Sequence, residues 1–137
     1  MKKLDTSMLT QFARGYRFAG ARLRRVRVLA DGDGLAVEFG LTVMPAIKDL
    51  GTEPTPVRLK LRLDGVEEFR FQKRSNSRVG RVPDVKFGYF DGLVFVNLDA
   101  WGLQPGEVPG VHDYRASDAF AAGKVLSWAE LKDGPTA

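Results

Sequence analysis

Cysteine is absent from this 137-residue chain, and histidine occurs once, at position 112. The first absence excludes disulfides, thiolate nucleophiles and every cysteine-ligated zinc site. The second leaves a single imidazole for any acyl-transfer triad, whose base must stand beside a nucleophile. His112 is followed by Asp113 in a Gly- and Pro-rich stretch, and adjacency in sequence carries no geometry, so a solvent-exposed or structural histidine is the expectation. Neither a GxGxxG nor a GKS/GKT run occurs, which removes the Gly-rich phosphate loops. Long apolar runs are missing too, and the opening MKKLDTSMLTQF interrupts its few hydrophobes with Asp5, Thr6 and Ser7. No membrane span and no secretory signal are expected, and a reducing cytoplasm suits a chain without thiols.

Two acidic motifs invite a chemical reading. Asp31-Gly32-Asp33-Gly34 begins like a calcium loop, but the twelve-residue pattern should close on glutamate, and Thr42 occupies that place. A hairpin turn is the better reading. Glu67-Glu68 is the sole adjacent acid pair. Glycosidase carboxylates converge only in three dimensions, so spacing says nothing about them, and a bulged or solvated turn explains this pair equally. The chain is therefore expected to be non-enzymatic, with no catalytic residue, no metal and no cofactor.

What is present is an ordinary globular composition, 44% apolar and 28% charged, in the length range of a single domain covering residues 1–137. The formal charge of +4 is unevenly spread: residues 1–74 hold 15 Lys/Arg against 9 Asp/Glu, and residues 75–137 hold 6 against 8. Two basic windows carry the excess. Residues 14–27 contain Arg14, Arg17, Arg22, Arg24, Arg25 and Arg27, and residues 70–81 contain Arg70, Lys73, Arg74, Arg78 and Arg81. Such windows meet phosphates, meet acidic protein surfaces, or simply keep a face solvated.

Hydrophobic periodicity is mostly that of strands. Ser7 is a candidate N-cap for a short helix over MLTQFA that ends by Gly15. From Ala21 to Val43 the period is two around the DGDG turn, with Leu35, Val37, Phe39, Leu41 and Val43 on one face. In the first arm Leu23 and then Val26 and Val28 face inward, so the phase slips at Arg24-Arg25 and predicts a bulge. Residues 44–56, with three prolines and a glycine, read as a loop.

VRLKLRLD, residues 57–64, alternates aliphatic and charged positions, and Phe69, Phe71, Phe87 and Tyr89 continue as core candidates. Residues 72–84 form a long polar loop. LVFVNL, after the Asp91-Gly92 turn, is apolar on both sides and should be covered on both. Residues 101–114 read as a second loop, in which Trp101 and Tyr114, like Phe90 before it, are candidate interface anchors. Residues 117–131 stay open between capped helix and strand: Ser117 and the alanines favour one, and the spacing of Leu126 and Trp128 the other. The expected architecture is mainly β, an antiparallel sheet or β-sandwich of six to eight strands with at most a short N-terminal helix.

The order of segments resembles the bacterial polymorphic-toxin immunity family numbered fifty. RFAGARLRRVRV, LAVEFGL, VRLKLRLDGVEEFRF and DAFAAGKVLSW carry the match, across most of residues 17–128. Where members often have Phe-His-Asp-Ala, this chain has Phe18-Ala19-Gly20-Ala21, so no role for that His and Asp carries over. The resemblance implies stoichiometric binding of a cognate toxin domain, and it tips residues 117–131 toward strand. Arg58, Lys60, Arg62, Lys73, Arg74, Arg78, Arg81 and Trp101 are the expected partner-binding residues, and the basic charge implies an acidic protein partner. The competing expectation is a nucleic-acid-binding accessory domain using windows 14–27 and 70–81, although stacking aromatics do not accompany the cations.

Overall fold

The computed structural model describes residues 1–32, 34–46, 55–71, 82, 84–98, 110–117 and 119–131. The expected mainly β antiparallel architecture is present, as two sheets. Strands β1 (Lys2–Leu4), β2 (Tyr16–Asp31), β3 (Gly34–Pro45) and β4 (Val57–Asp64) belong to the first sheet, and β5 (Glu68–Phe71), β6 (Lys86–Phe90), β7 (Leu93–Asn97) and β8 (Ala119–Gly123) form the second. The last strand, β9 (Val125–Leu131), returns to the first sheet, giving orders β1-β9-β4-β3-β2 and β5-β8-β7-β6. The described residues thus hold nine strands, among them β1, whose three residues are too few to display a period in sequence. No helix among the described residues is long and apolar enough to cross a membrane.

One core lies between the sheets. Val37, Phe39, Leu41 and Val43 of β3 and Leu59, Leu61 and Leu63 of β4 meet Val94 and Val96 of β7 and Ala121 of β8. A second, smaller core on the far face of β7 gathers Leu93, Phe95, Phe120, Ala122 and Tyr114, the last from helix α2 (Val111–Arg115). That second cover explains why β7 is apolar on both faces, as its sequence predicts. Tyr114, a candidate interface anchor, is instead 1% exposed. Phe90 also packs against this smaller core.

Several local expectations are corrected. Helix α1 (Leu9–Arg14) is preceded by a short 3₁₀ turn whose cap is Asp5, not Ser7: the Asp5 carboxylate accepts the Ser7 N–H at 3.0 Å and the Ser7 hydroxyl at 3.1 Å. A carboxylate is the stronger acceptor, so Ser7 becomes the donor. Met44 and Pro45 extend β3 instead of opening a loop, because they pair with Arg17 and Tyr16. Phe69 and Tyr89, read as core, are 44% and 50% exposed, since they sit on the edge strands β5 and β6, beyond the reach of the facing sheet. Trp128 is half-buried, against Phe12 of α1 at 5.1 Å between ring centroids.

Residues 119–131 are strand, and the reason lies at one corner. The chain leaves the first sheet after Asp64 through Gly65 (φ +62°) and enters β5, while Gly123 and Lys124 carry it back from β8 to β9. The two crossings touch: the Lys124 N–H donates to the Asp64 carbonyl at 2.9 Å and the Glu67 N–H to the Ala122 carbonyl at 3.0 Å. A Cβ on Gly123 would stand 2.9 Å from the Asp64 carbonyl oxygen and 3.2 Å from the Leu63 Cβ. Ala119, Ala121 and Ala122 use the small side chain to fit between other strands, so their helical propensity is overridden by pairing. Gly123→Ala should therefore lower stability by about 1–3 kcal/mol, read as a reduced denaturation midpoint, because the obstructing atom is backbone. A midpoint unchanged from wild type would show that the corner has slack.

Candidate functional site

Directly paired residues of antiparallel neighbours turn their side chains to the same face, so the register defines what the first sheet shows on the side away from the core. Along β2 and β3 the outward pairs are Arg17 with Met44, Arg22 with Thr42, Arg25 with Gly40, and Arg27 with Glu38. On β4, Arg58 lies opposite Thr42, Lys60 opposite Gly40 and Arg62 opposite Glu38. Beyond it, β9 offers Leu131, Ala129 and Ser127 in the same rows.

The predicted bulge is real: the β2 register shifts between Leu23 and Arg25. It sets Arg24 and Arg25 together against Gly40, whose added Cβ would meet the Cβ atoms of Arg25 at 3.6 Å and Arg24 at 3.8 Å. Eight cations from β2 and β4 thus share one face, against the carboxylates of Glu38 and Asp64 among the described residues.

Glu38 organises the middle of this face. It is 6% exposed, and its Oε2 receives Lys60 Nζ at 3.3 Å and Arg62 Nη1 at 3.0 Å. Burial pushes its carboxyl up, but the hydrogen bonds from Arg62 and Lys60 outweigh that and hold it below the ordinary range. Arg62 also donates from Nε to Asp64 Oδ1 at 3.0 Å, and the hydrogen bonds to Asp64 and Glu38 raise its own affinity for the proton. On the other flank Arg24 Nε donates to Thr42 Oγ1 at 3.0 Å. Arg25 and Arg27 are exposed, with no ion pair or hydrogen bond to them among the described residues.

Between the two cationic rows runs a half-open groove of about 450 Å³, lined by Arg24, Arg25, Arg27, Glu38, Gly40, Arg58, Lys60 and Leu131, with Phe39, Leu41 and Leu59 forming its floor. Gly40 supplies the hollow, since β3 carries no side chain there. Lys60 sits opposite Gly40 yet extends toward Glu38, which leaves the space over Gly40 to the arginines.

Of the expected partner-binding residues, Arg58, Lys60 and Arg62 are brought together here with the window 14–27, apart from Arg14 at the end of α1. Lys73, Arg74, Arg78, Arg81 and Trp101 lie outside the described residues. Arg70 is on β5 in the second sheet, where its Nη1 donates to the Arg115 carbonyl at 3.3 Å. Glu38, Gly40, Thr42 and Leu131 were not expected at the site. Their signal is the other phase of the β3 and β9 alternation, legible only once both strands are placed beside β4.

None of the remaining motifs lines this groove. His112 is exposed on α2, and the Asp113 carboxylate caps that helix by accepting the Gly110 N–H at 2.7 Å. Glu68 is held by Arg115 through bonds of 3.0 and 2.9 Å. The hairpin reading of DGDG stands, with Asp31 paired to Gly34 and Gly32 at φ +61°. No group of His, Asp or Glu able to hold a metal ion occurs among the described residues. No family model matches the chain, and no curated protein or solved structure matches it.

Glu38→Gln should cost about 1–3 kcal/mol near neutral pH, because a nearly buried charge-assisted pair is weakened and two cations lose their counter-charge. Since the folded-state carboxyl titrates below its ordinary value of 4.5, this contribution is fully present above pH 4.5 and is lost as pH falls through the lower folded value. Urea melts of both proteins should converge on acidification; a gap that stays constant down to pH 2 would disprove the assignment.

Proposed function

We propose that this protein is a non-catalytic binding module, acting in the cytoplasm, that lays the outer face of its five-stranded sheet against an acidic protein surface and so neutralises a cognate toxin domain, as an immunity protein does. The observation that carries the binding reading is the concentration of eight cations from β2 and β4 on one face, with the carboxylates of Glu38 and Asp64 to offset them among the described side chains. The resemblance in segment order supplies the narrower immunity reading. A surface of this kind accelerates encounter with an oppositely charged partner and selects against basic ones.

Protein is favoured over single-stranded nucleic acid because the described part of this face has no aromatic ring on which bases could stack. The exposed rings, Phe69 and Tyr89, belong to the second sheet. The face as a whole has the form of a docking surface: Leu131, 45% exposed at the end of β9, gives the cationic field an apolar edge.

Arg25→Glu with Arg27→Gln is the discriminating variant: neither arginine holds an ion pair among the described residues, and a neutral side chain at position 27, opposite Glu38, sets no new carboxylate against it, so the melting curve should be unchanged. Lys60 and Arg62 cannot be reversed so cleanly, since Glu38 would then face carboxylates. Where a toxin domain is encoded immediately upstream, co-expression of the wild type with it should restore growth. The double variant should lose that protection, with association slowed about tenfold or more at low salt. Failure of the wild type to protect, or tight duplex-DNA binding that weakens steeply with salt, would transfer the face to another partner.

A further inference from the structure

Resting on that reading of the basic face, we infer that recognition is seated in the groove over Gly40 and that its occupant is an extended acidic segment of the partner, with a carboxylate at Arg25 and an apolar side chain against Leu131.

Three features set this occupant. The bulge roots two arginines beside Gly40 where a regular strand would root one; Arg24 turns to Thr42, and Arg25 keeps its guanidinium for a carboxylate, which that group grips with paired hydrogen bonds. Glu38 then gives the groove a direction. It draws Lys60 to one end at 3.3 Å and, with Arg62, matches the charge there, so an entering anion is held less strongly at that end than at the Gly40 end, where Arg25 has no ion pair among the described residues. Leu131, opposite Arg58 in the register, closes the far wall with apolar surface that is 45% exposed.

From β3 to β9 is two interstrand steps, roughly 10 Å, which about three extended residues span. The groove thus fits an acid followed two or three positions later by an apolar residue, and its volume of about 450 Å³ lies within the range of specific ligand sites.

The probe is a fluorescent, end-blocked peptide Gly-Glu-Glu-Ser-Leu-Gly, with Gln-Gln and Ser-for-Leu counterparts, titrated at low salt by anisotropy. The wild type should bind it at least tenfold more tightly than the Gln-Gln peptide. Gly40→Leu keeps every charge and fills the hollow; an added Cβ at Gly40 stays at ordinary contact distance, 3.6 Å from the Arg25 Cβ, so the strand should hold, and affinity should fall tenfold or more. Leu131→Ser, at an exposed strand end, gives an independent reading: it should weaken the Leu peptide several-fold and leave the Ser peptide unchanged.

If Arg25→Glu with Arg27→Gln abolishes toxin protection while folded Gly40→Leu protects and binds peptide like the wild type, the groove assignment is wrong and the face reading survives. If neither variant alters protection, both fail. Equal binding of the Glu-Glu and Gln-Gln peptides, equal effects of Leu131→Ser on both peptides, or displacement of the peptide by a stoichiometric amount of a short DNA duplex would each overturn the acidic-peptide occupant.

Discussion

The contact of Gly123 and Lys124 with the Asp64 carbonyl is the constraint from which the basic face follows. β4 and β9 are neighbours in one sheet, and β5 and β8, their continuations across the corner, are neighbours in the other. The four strands are in effect one two-stranded ribbon folded over, with the Lys124 N–H bonded to Asp64 at the crease. A slip of one residue at that crease would turn every side chain of β4 over. Leu59, Leu61 and Leu63 would go to water, and Arg58, Lys60 and Arg62 would enter the core. The lack of a side chain at residue 123 lets the two crossings approach closely enough to lock the register, and the register decides which charges face outward.

Placing so many cations on one face raises an electrostatic difficulty that the fold meets unevenly. Where the side chains are nearly buried, the charges are matched: Glu38 takes both Lys60 and Arg62, and Asp64 shares Arg62. A buried carboxylate with one partner missing would be costly, because its desolvation would no longer be offset. Where the side chains reach water, at Arg25 and Arg27, no such match is needed, since solvent and salt screen their repulsion beyond about 10 Å. The face therefore divides into a neutralised centre that stabilises the sheet and a charged flank that does not. Only the flank is spare for a partner, which is why its removal should leave folding untouched.

Much of this was legible before any coordinates. The alternation from Val57 to Leu63 gives β4 and its two faces, the Asp-Gly steps give the turns, and the phase slip at Arg24-Arg25 gives the bulge. Each is a local signal, carried within a few residues by sterics or period. The two-sided apolar character of Leu93 to Leu98 announced a covered strand, though not that Tyr114 would help cover it. What could not be read is what depends on long-range pairing. Gly40 is an unremarkable glycine within LAVEFGL until Arg25 and Lys60 are set on either side of it. Ala119 to Gly123 stayed ambiguous because alanine is both a good helix former and the smallest side chain that packs between strands. Phe69 and Tyr89 looked like core because alternation fixes the side of a sheet but not how far the opposite sheet extends.

Glu38 also bears on what kind of polyanion the face can accept. Nucleic acid carries its charge at a uniform spacing, so a strand laid along the trough with one phosphate near Gly40 would set another close to Glu38, two residues along β3. Glu38 is held in its charged form by Arg62 and Lys60, and those same bonds occupy two of the cations near the second phosphate, leaving Arg27, opposite Glu38, to receive it beside a carboxylate. A protein segment is under no such obligation: it can offer one carboxylate at Arg25 and an uncharged residue beyond it. The acid at the centre of the sheet thus stabilises the fold and, on the proposed reading, makes the groove selective for a partner whose negative charge is localised rather than repeated.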